Sequence, residues 1–123
     1  MISHVTIRTP LLQQTVDFYQ WLLDMPIAKE MHSPMAGRIV FLGNSKASLE
    51  LIEDENAEPI NAPCLSIGVM VDDLDAKLAM LDSRGIPHSG ILSPVPQVRF
   101  AFFADLNGCH IQLMEQREGA QSH

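Results

Sequence analysis

The sequence is poor in the residues that nucleic-acid binding and membrane insertion require. Only 8 of its 123 residues are Lys or Arg, against 15 Asp and Glu. Binding to a phosphate backbone depends on clustered basic side chains, so this balance argues against a nucleic-acid partner. No apolar run approaches the roughly 20 residues of a membrane span, and no signal-peptide pattern is present at the N-terminus. We therefore expect a cytoplasmic protein with no membrane partner.

Cysteines and familiar catalytic motifs are also scarce. The two cysteines, Cys64 and Cys109, lack metal-finger spacing and indicate a reducing compartment. Both lie in or beside predicted strands, where we expect them to be small buried hydrophobic residues. The sequence has no Gly-x-Gly-x-x-Gly, no phosphate-loop sequence and no nucleophile elbow. Site chemistries that depend on these motifs are therefore not supported.

What the sequence does contain is a repeat with a spacing of 62 residues. His4 and Ser66 open similar apolar strands and are 62 positions apart. Glu50 and Gln112 lie in a second pair of similar strands and are also 62 positions apart. Internal repetition predicts architecture more firmly than a single motif does. Equivalent positions in the two copies should converge on one pocket, to which the first copy brings His and Glu and the second Ser and Gln.

Each copy predicts a strand, a helix and three further strands. Alternation in residues 2–8 predicts a half-buried strand, and Thr9-Pro10 predicts the N-cap and first residue of a helix. In the second copy Asp72-Asp73 caps the helix and Gly85 closes it. The other predicted strands are 27–30, 38–42, 47–52, 65–71, 99–104 and 109–115.

The chain length predicts a single domain over residues 1–123. The stretch 54–63 is acidic and contains prolines, which predicts a solvated linker between the two copies. Segments 31–37 and 89–97 predict irregular loops that cover a ligand. Along the chain, the prediction is module one at 1–53, the linker at 54–63, module two at 64–116 and a tail at 117–123.

The paired modules contain an ordered set of segments: the opening His4-x-x-Ile7, Asp17-Phe18-Tyr19 with Leu22-Leu23-Asp24-Met25, and Asp105-Leu106-Asn107-Gly108 with Ile111-Gln112-Leu113. Together these features resemble the vicinal oxygen chelate superfamily, which includes glyoxalase I, extradiol dioxygenases and the fosfomycin- and bleomycin-resistance proteins. The resemblance spans nearly the whole chain and implies an α+β fold, in which two tandem βαβββ modules form curved mixed sheets around a cavity.

The resemblance also implies where metal-using members hold a divalent ion, with one ligand from the first and the last strand of each module. Those positions fall here on His4, Glu50, Ser66 and Gln112. Strand alternation agrees independently, because all four side chains are predicted on faces opposite the helix-facing aliphatic residues.

This donor set is weaker than a divalent ion prefers. Imidazole and carboxylate are good ligands, whereas a Ser hydroxyl and a Gln amide are poor ones. Gln112 cannot accept a proton at neutral pH, so Glu50 alone is a candidate general base. His110 is predicted on the face of Gln112 and, with His4 and Glu50, would give the composition used by Fe(II) oxygenases. The alternatives are a pocket-wall role for His110 and hydrogen bonding by His4 within a polar pocket.

A buried carboxylate is costly without a partner, so Glu50 predicts a cation or a hydrogen-bond donor beside it. Arg38, Arg99, water and a metal ion are the candidates. Arg99 is also a candidate for gripping an anionic ligand group through its planar guanidinium, the alternative being a solvent-facing strand cation.

We expect a glyoxalase-, bleomycin-resistance- or dioxygenase-like protein that binds a small molecule in the cavity between its modules and has a degraded or absent metal site. The alternative is a lyase or dioxygenase that depends on Ni, Zn, Mn or Fe and uses His4 and Glu50 with an atypical third ligand. Glu50 is then the catalytic residue. A homodimer is expected because apolar strand edges need cover. The predicted ligand-binding residues are His4, Glu50, Ser66, Arg99, His110 and Gln112.

Overall fold

The structure, a computed structural model, describes residues 1–35, 37–44 and 46–117. The chain forms two compact units, Met1–Pro59 and Ile60–His123. Each unit has one helix and a four-stranded mixed sheet, so the predicted α+β fold of two tandem βαβββ modules is confirmed. The elements are β1 His4–Thr9, α1 Leu12–Leu23, β2 Ile27–Ser33, β3 Gly37–Gly43, β4 Ser48–Glu53, β5 Ser66–Met70, α2 Leu74–Ser83, β6 Leu92–Val95, β7 Val98–Ala104 and β8 His110–Gln116.

The structure bears only in part on the expected tail, the expected single domain and the expected absence of a membrane partner. Residues 118–123 of the predicted tail lie outside the described residues. The grouping of both modules into a single domain stays a prediction. Among the described residues, no helix is both long enough and apolar enough to cross a membrane.

The two sheets have the same strand order, β1-β4-β3-β2 and β5-β8-β7-β6. In each sheet the first strand of the unit pairs with the last in parallel, and the other pairs are antiparallel. A parallel pair needs a crossover between its strands, which each unit provides through a segment that includes its helix. His4 pairs with Ser48 in the first sheet, and Ser66 pairs with His110 in the second. Each residue of the second pair lies 62 positions after its counterpart in the first. The repeat in the sequence is therefore also a repeat of strand register.

In each sheet the face on the side of the helix carries the buried aliphatic side chains. In unit 1 the helix α1 contacts β4, and in unit 2 the helix α2 contacts β7 and β8. This packing leaves the opposite face of each sheet available for polar side chains. The fully buried residues include Val16, Tyr19, Leu22, Val40, Leu42 and Leu51 in unit 1, and Leu74, Leu81, Ala101, Ile111 and Leu113 in unit 2.

The first helix begins two residues later than predicted, at Leu12. Thr9 remains in β1 and pairs with Glu53, so it is not an N-cap residue. Its hydroxyl accepts a hydrogen bond from the Leu11 N–H at 2.8 Å, which turns the chain from the strand into the helix. Pro10 lies in this turn and not in the helix. The second helix is capped as predicted, because the Asp73 carboxylate accepts from the Ala76 N–H.

Two segments that we expected to be irregular contain strands. Residues 31–33 continue β2, whose pairing with β3 runs on to Ser33 and Gly37. Within 89–97, β6 forms the edge of the second sheet. All four residues of β6 are exposed, and Pro94 lies among them. A proline is tolerated at a sheet edge because no neighbour needs its missing N–H, but it hides the strand pattern in the sequence.

A tight turn before β8 positions the last strand of unit 2. The Asp105 carboxylate accepts hydrogen bonds from the N–H groups of Asn107 and Cys109. Cys109 is buried as expected, and burial raises the pKa of its thiol to about 11, with the nearby Asp105 charge adding to the effect. A thiol with this pKa is a poor nucleophile at neutral pH. Cys64, which we expected to be buried, is exposed.

The turn leaves no room for a side chain at Gly108. Its φ is +86°, and a Cβ atom there would lie 2.5 Å from the Ile60 carbonyl oxygen. Gly85 is a matched control, since its φ is +67° but nothing lies within 4 Å of the place that a Cβ would occupy. We expect Gly85→Ala to cost about 1 kcal/mol of unfolding free energy, from the left-handed backbone alone. Gly108→Ala should cost about 3 kcal/mol, because the clash is added. Urea denaturation measures both, and equal losses would contradict the clash.

His88 connects the end of α2 to the following loop, and we expect these contacts to make the stability of unit 2 depend on pH. Its Nδ1 lies 2.6 Å from the Ser89 carbonyl oxygen, and its Nε2 lies 2.8 Å from an Asp82 carboxylate oxygen. The Ser89 carbonyl, followed by the Asp82 carboxylate, raises the pKa of His88 against the opposing effect of burial. Two acceptors at the two ring nitrogens favour the doubly protonated ring.

This raised pKa fixes the sign of the pH dependence. The stabilisation should be fully present below the unfolded-state pKa of about 6.5 and should disappear as the pH rises through the higher pKa of the folded state. We expect His88→Gln to lose about 1 kcal/mol of unfolding free energy in acid and less in alkali. Urea denaturation of the unmodified protein and the His88→Gln variant, below and above the pKa of His88, tests this expectation. A difference in unfolding free energy that increases with pH would contradict it.

Candidate functional site

The candidate site in unit 1 lies on the sheet face opposite α1. The parallel register of β1 and β4 places Thr6 beside Glu50 and His4 beside Ser48. On its other side Glu50 pairs with Phe41 of β3. Paired residues in neighbouring strands point to the same face, so these side chains share one surface. The sequence-based prediction that His4 and Glu50 share a face agrees with this placement.

His4 and Glu50 are close enough to interact directly. The His4 Nε2 lies 3.5 Å from a Glu50 carboxylate oxygen, and the His4 Nδ1 lies 2.7 Å from the Ser3 hydroxyl oxygen. The imidazole also packs edge-on against the Phe41 ring, at 5.6 Å between ring centroids. The side chain of His4 is 39% exposed and that of Glu50 is 15% exposed. Both groups can therefore meet a ligand, with the carboxylate set deeper than the imidazole.

The partner of Glu50 is a hydroxyl group that the sequence analysis did not single out. The Thr6 hydroxyl donates a 2.5 Å hydrogen bond to Glu50. Strand alternation could have identified Thr6, because it follows His4 by two residues and must share its face. Neither proposed arginine pairs with Glu50. Arg38 donates instead to Glu30 and to Gln13, both at 2.7 Å.

Unit 2 presents a different set of side chains on the equivalent face. Ser66 pairs with His110, and Gly68 pairs with Gln112. Gln112 also lies opposite Phe102, as Glu50 lies opposite Phe41. Ser66 is exposed, whereas His110 and Gln112 are half-buried. Within the part of the chain that the structure describes, the side chains of Ser66, His110 and Gln112 form no hydrogen bond, so their polar groups remain available.

The positions of a histidine and a serine on the paired first and last strands are reversed between the two units. Unit 1 has His4 on its first strand and Ser48 on its last, and the two are paired. Unit 2 has Ser66 on its first strand and His110 on its last, at the same register. Each unit thus carries one imidazole at this level of the sheet. When the sequences of β1 and β5 are compared, Ser66 stands where β1 has His4. The strand register shows that unit 2 instead has its histidine, His110, on the neighbouring strand β8.

Arg99 lies on the opposite sheet face from the other predicted ligand-binding residues of unit 2. It pairs with Glu115 in the sheet, on the face opposite that of Gln112. Its guanidinium contacts Asp75 of α2 at 3.2 Å and Glu115 at 3.1 Å. The Leu74 N–H, together with Arg117 and Arg99, lowers the pKa of Glu115. Arg99 therefore fastens the helix to the sheet, and the predicted grip on an anionic ligand does not fit this placement.

The donor chemistry does not fit a complete metal site. Of the four positions that the resemblance assigns to metal ligands, His4 and Glu50 supply strong donors, whereas Ser66 and Gln112 supply a neutral hydroxyl and an amide. Within each unit, the described residues bring no three His, Cys, Asp or Glu side chains close enough to hold an ion. The Glu50 carboxylate already accepts from Thr6.

Comparison with known proteins places the chain by sequence and by fold. Residues 1–113 match the model of the Glyoxalase/Bleomycin resistance protein/Dioxygenase superfamily. No protein of curated function matches the sequence.

Several solved structures share the fold at low sequence identity. Trypanothione-dependent glyoxalase I of Leishmania major is 23% identical with a TM-score of 0.77, over 98% of this chain and 88% of that one. A fosfomycin resistance protein of Listeria monocytogenes is 14% identical with a TM-score of 0.73, over 99% and 98%. An antibiotic binding protein from a Streptomyces species is 21% identical with a TM-score of 0.69, over 94% and 95%. These likenesses establish the fold.

The placement of Arg99 generates a stability prediction. Arg99→Gln should lower the unfolding free energy modestly, because Asp75 is largely exposed and solvent screens the pair. Arg117→Gln is the matched control, since Arg117 contacts the same Glu115 but is 54% exposed, against 16% for Arg99. Urea denaturation should show a smaller loss for Arg117→Gln. A larger loss in the control would contradict the role given to Arg99.

Proposed function

Because the chain belongs to the glyoxalase, bleomycin-resistance protein and dioxygenase superfamily, we propose that it binds a small molecule and has a degraded metal site. The binding surface is the polar sheet face of unit 1, which carries His4 and Glu50, together with the equivalent face of unit 2, which carries Ser66, His110 and Gln112. The cavity between the modules and the homodimer, both predicted from the sequence, belong to the same proposal.

The proposal is carried by the contrast between Glu50 and Gln112. Both occupy the same register of their sheets and lie opposite a phenylalanine. Glu50 is an ionised acceptor held by Thr6, whereas Gln112 is a neutral amide that can both donate and accept. Such a pair suits hydrogen bonding to a ligand better than it suits symmetric coordination of an ion.

The chemistry of the faces indicates how a ligand is held. Glu50 accepts a hydrogen bond from a ligand hydroxyl or amine, and Gln112 can satisfy either type of ligand group. Phe41 and Phe102 offer flat apolar surfaces beside these two anchors. A few fixed polar groups on apolar walls are the usual composition of a small-molecule site. The Streptomyces protein of similar fold is an antibiotic binding protein, and we propose that this chain likewise binds a small molecule.

The exchange of histidine and serine favours one alternative. His110 restores an imidazole to unit 2 at the register of Ser66, so His4, Glu50 and His110 have the composition of a two-histidine, one-carboxylate site. In that case the protein is a metal-dependent lyase or dioxygenase, and His110 is the atypical third ligand.

Metal content and bound ligand separate the two functions. We expect the purified protein to hold no stoichiometric Ni, Zn, Mn or Fe by elemental mass spectrometry and to release an organic molecule in native mass spectrometry. Glu50→Gln should lower occupancy by that molecule, because it replaces the ionised acceptor by an amide of the same shape. The double variant Ser66→His with Gln112→Glu should gain metal, since it supplies the two missing strong donors.

The controls use histidines on different faces. Stoichiometric metal that is lost in both His4→Ala and His110→Ala, but retained in His32→Ala, would overturn the binding proposal in favour of the metal-dependent enzyme. His32 is a suitable control because it pairs with Arg38, on the face opposite that of Phe41 and Glu50. A protein that carries neither metal nor small molecule, and that no divalent ion stabilises, would remove the metal-dependent enzyme but would also fail to support a bound ligand.

A further inference from the structure

A depression of about 290 Å³ lies at one end of the polar face of unit 1. Its lining includes Ser3, His4, Lys29, Phe41, Asn44 and Ser48. These residues come from all four strands of the sheet, from the residue that precedes β1, and from the turn between β3 and β4. This volume is at the lower end of the range for small-molecule sites. It is therefore suited to one group of a ligand.

Lys29 brings a positive charge to this depression. Its ammonium nitrogen lies over the Phe41 ring, 5.9 Å from the ring centroid. No carboxylate among the described residues forms an ion pair with Lys29. The ammonium is therefore positioned by an aromatic ring and retains its hydrogen-bond donors for another acceptor.

Asn44 and Ser48 add neutral donors. The Asn44 side-chain oxygen already accepts from the N–H groups of Lys46 and Ala47, at 2.9 and 3.1 Å. Its side-chain NH₂ group is thus left with two donors. Ser48 adds a hydroxyl beside His4, with which it is paired in the sheet. A lysine, an amide NH₂ and a hydroxyl are the kinds of group that bind an anion.

The charge of this depression contrasts with that of the whole chain. The protein has a formal net charge of −7, yet no Asp or Glu is among the residues that line the depression. Glu50 does not line the depression, although its carboxylate oxygen lies 3.5 Å from the Nε2 of His4, which does. In the sheet Glu50 pairs with Phe41 on the side away from Lys29. The lining therefore carries the Lys29 ammonium and no carboxylate, and this local charge favours a negatively charged occupant.

We propose that Lys29, Asn44 and Ser48 form a subsite for an anionic group, a carboxylate or a phosphate, of the ligand bound by this protein. The inference rests on the proposed function and specifies the class of ligand. Lys29, Phe41 and Glu50 follow one another across three neighbouring strands. Since strands are about 4.8 Å apart, the ligand places its anion at Lys29, an apolar body on Phe41 and a hydrogen-bond donor at Glu50, about 10 Å away.

Amide NMR titration with small probes tests this subsite. Benzoate and phenyl phosphate supply a ring for Phe41 and the two kinds of anion, and benzamide is the neutral control of the same shape. We expect at least one anion to shift the resonances of Lys29, Phe41 and Ser48 at concentrations about tenfold lower than benzamide. The tighter of the two anions identifies the carboxylate or the phosphate as the group recognised.

Variants assign the effect to Lys29. Lys29→Met should weaken binding of the anion about tenfold, whereas Lys29→Arg should retain most of it because the charge remains. Lys77→Met is the matched control, since it removes the same charge from α2 in the other unit. Loss of anion binding in this control, or no loss in Lys29→Met, would refute the subsite.

The outcomes also separate this inference from the proposed function. Equal binding of benzamide and benzoate on this face would overturn the anion subsite and leave small-molecule binding intact. No shift with any of the three probes would likewise overturn the subsite, and the proposed function would then be decided independently by the molecule that co-purifies.

Discussion

The parallel pairing of the first and last strands in each unit is the constraint on which the site depends. Because side chains alternate along a strand, the register of such a pair decides which residues share the face opposite the helix. A shift by one residue would bury Glu50 against α1 and expose Leu51, which is fully buried. The apolar side chains under the helix therefore hold the register, and the register in turn presents His4 beside Ser48 and Thr6 beside Glu50.

Much of the fold could be predicted because the repeat and the alternation are properties of the chain itself. The spacing of 62 residues indicated the two modules, and alternation indicated the face of His4 and Glu50. Local turns were harder to predict. Threonine is a favoured N-cap residue, but Thr9 remains in β1. Its pairing with Glu53 in the sheet prevails over the local preference for starting a helix there. The strand β6 was missed because an exposed edge strand needs neither alternation nor a full set of N–H donors.

The partners of the charged residues could not be predicted to the same extent. Arg38 and Arg99 both had the chemistry to neutralise Glu50, but each lies on the helix side of its sheet. There Arg38 reaches Gln13 of α1, and Arg99 reaches Asp75 of α2. Alternation along one strand predicts a face, whereas an ion pair depends on which element covers that face. The hydroxyl of Thr6 was open to the same alternation argument, yet a neutral group carries no charge that would mark it as the partner of a carboxylate.

Two differences between the units fall on the same pair of neighbouring positions in the sheet. Where unit 1 pairs Thr6 with Glu50, unit 2 pairs Gly68 with Gln112. A half-buried carboxylate needs a donor, and Thr6 provides it. Gly68 has no side chain to do so, and a Cβ there would already be 3.8 Å from the Gln112 oxygen. A neutral amide tolerates this position without a fixed donor, whereas a carboxylate would need a cation or a ligand. The hydroxyl and the carboxylate therefore occur together in unit 1, and the equivalent pair in unit 2 has neither.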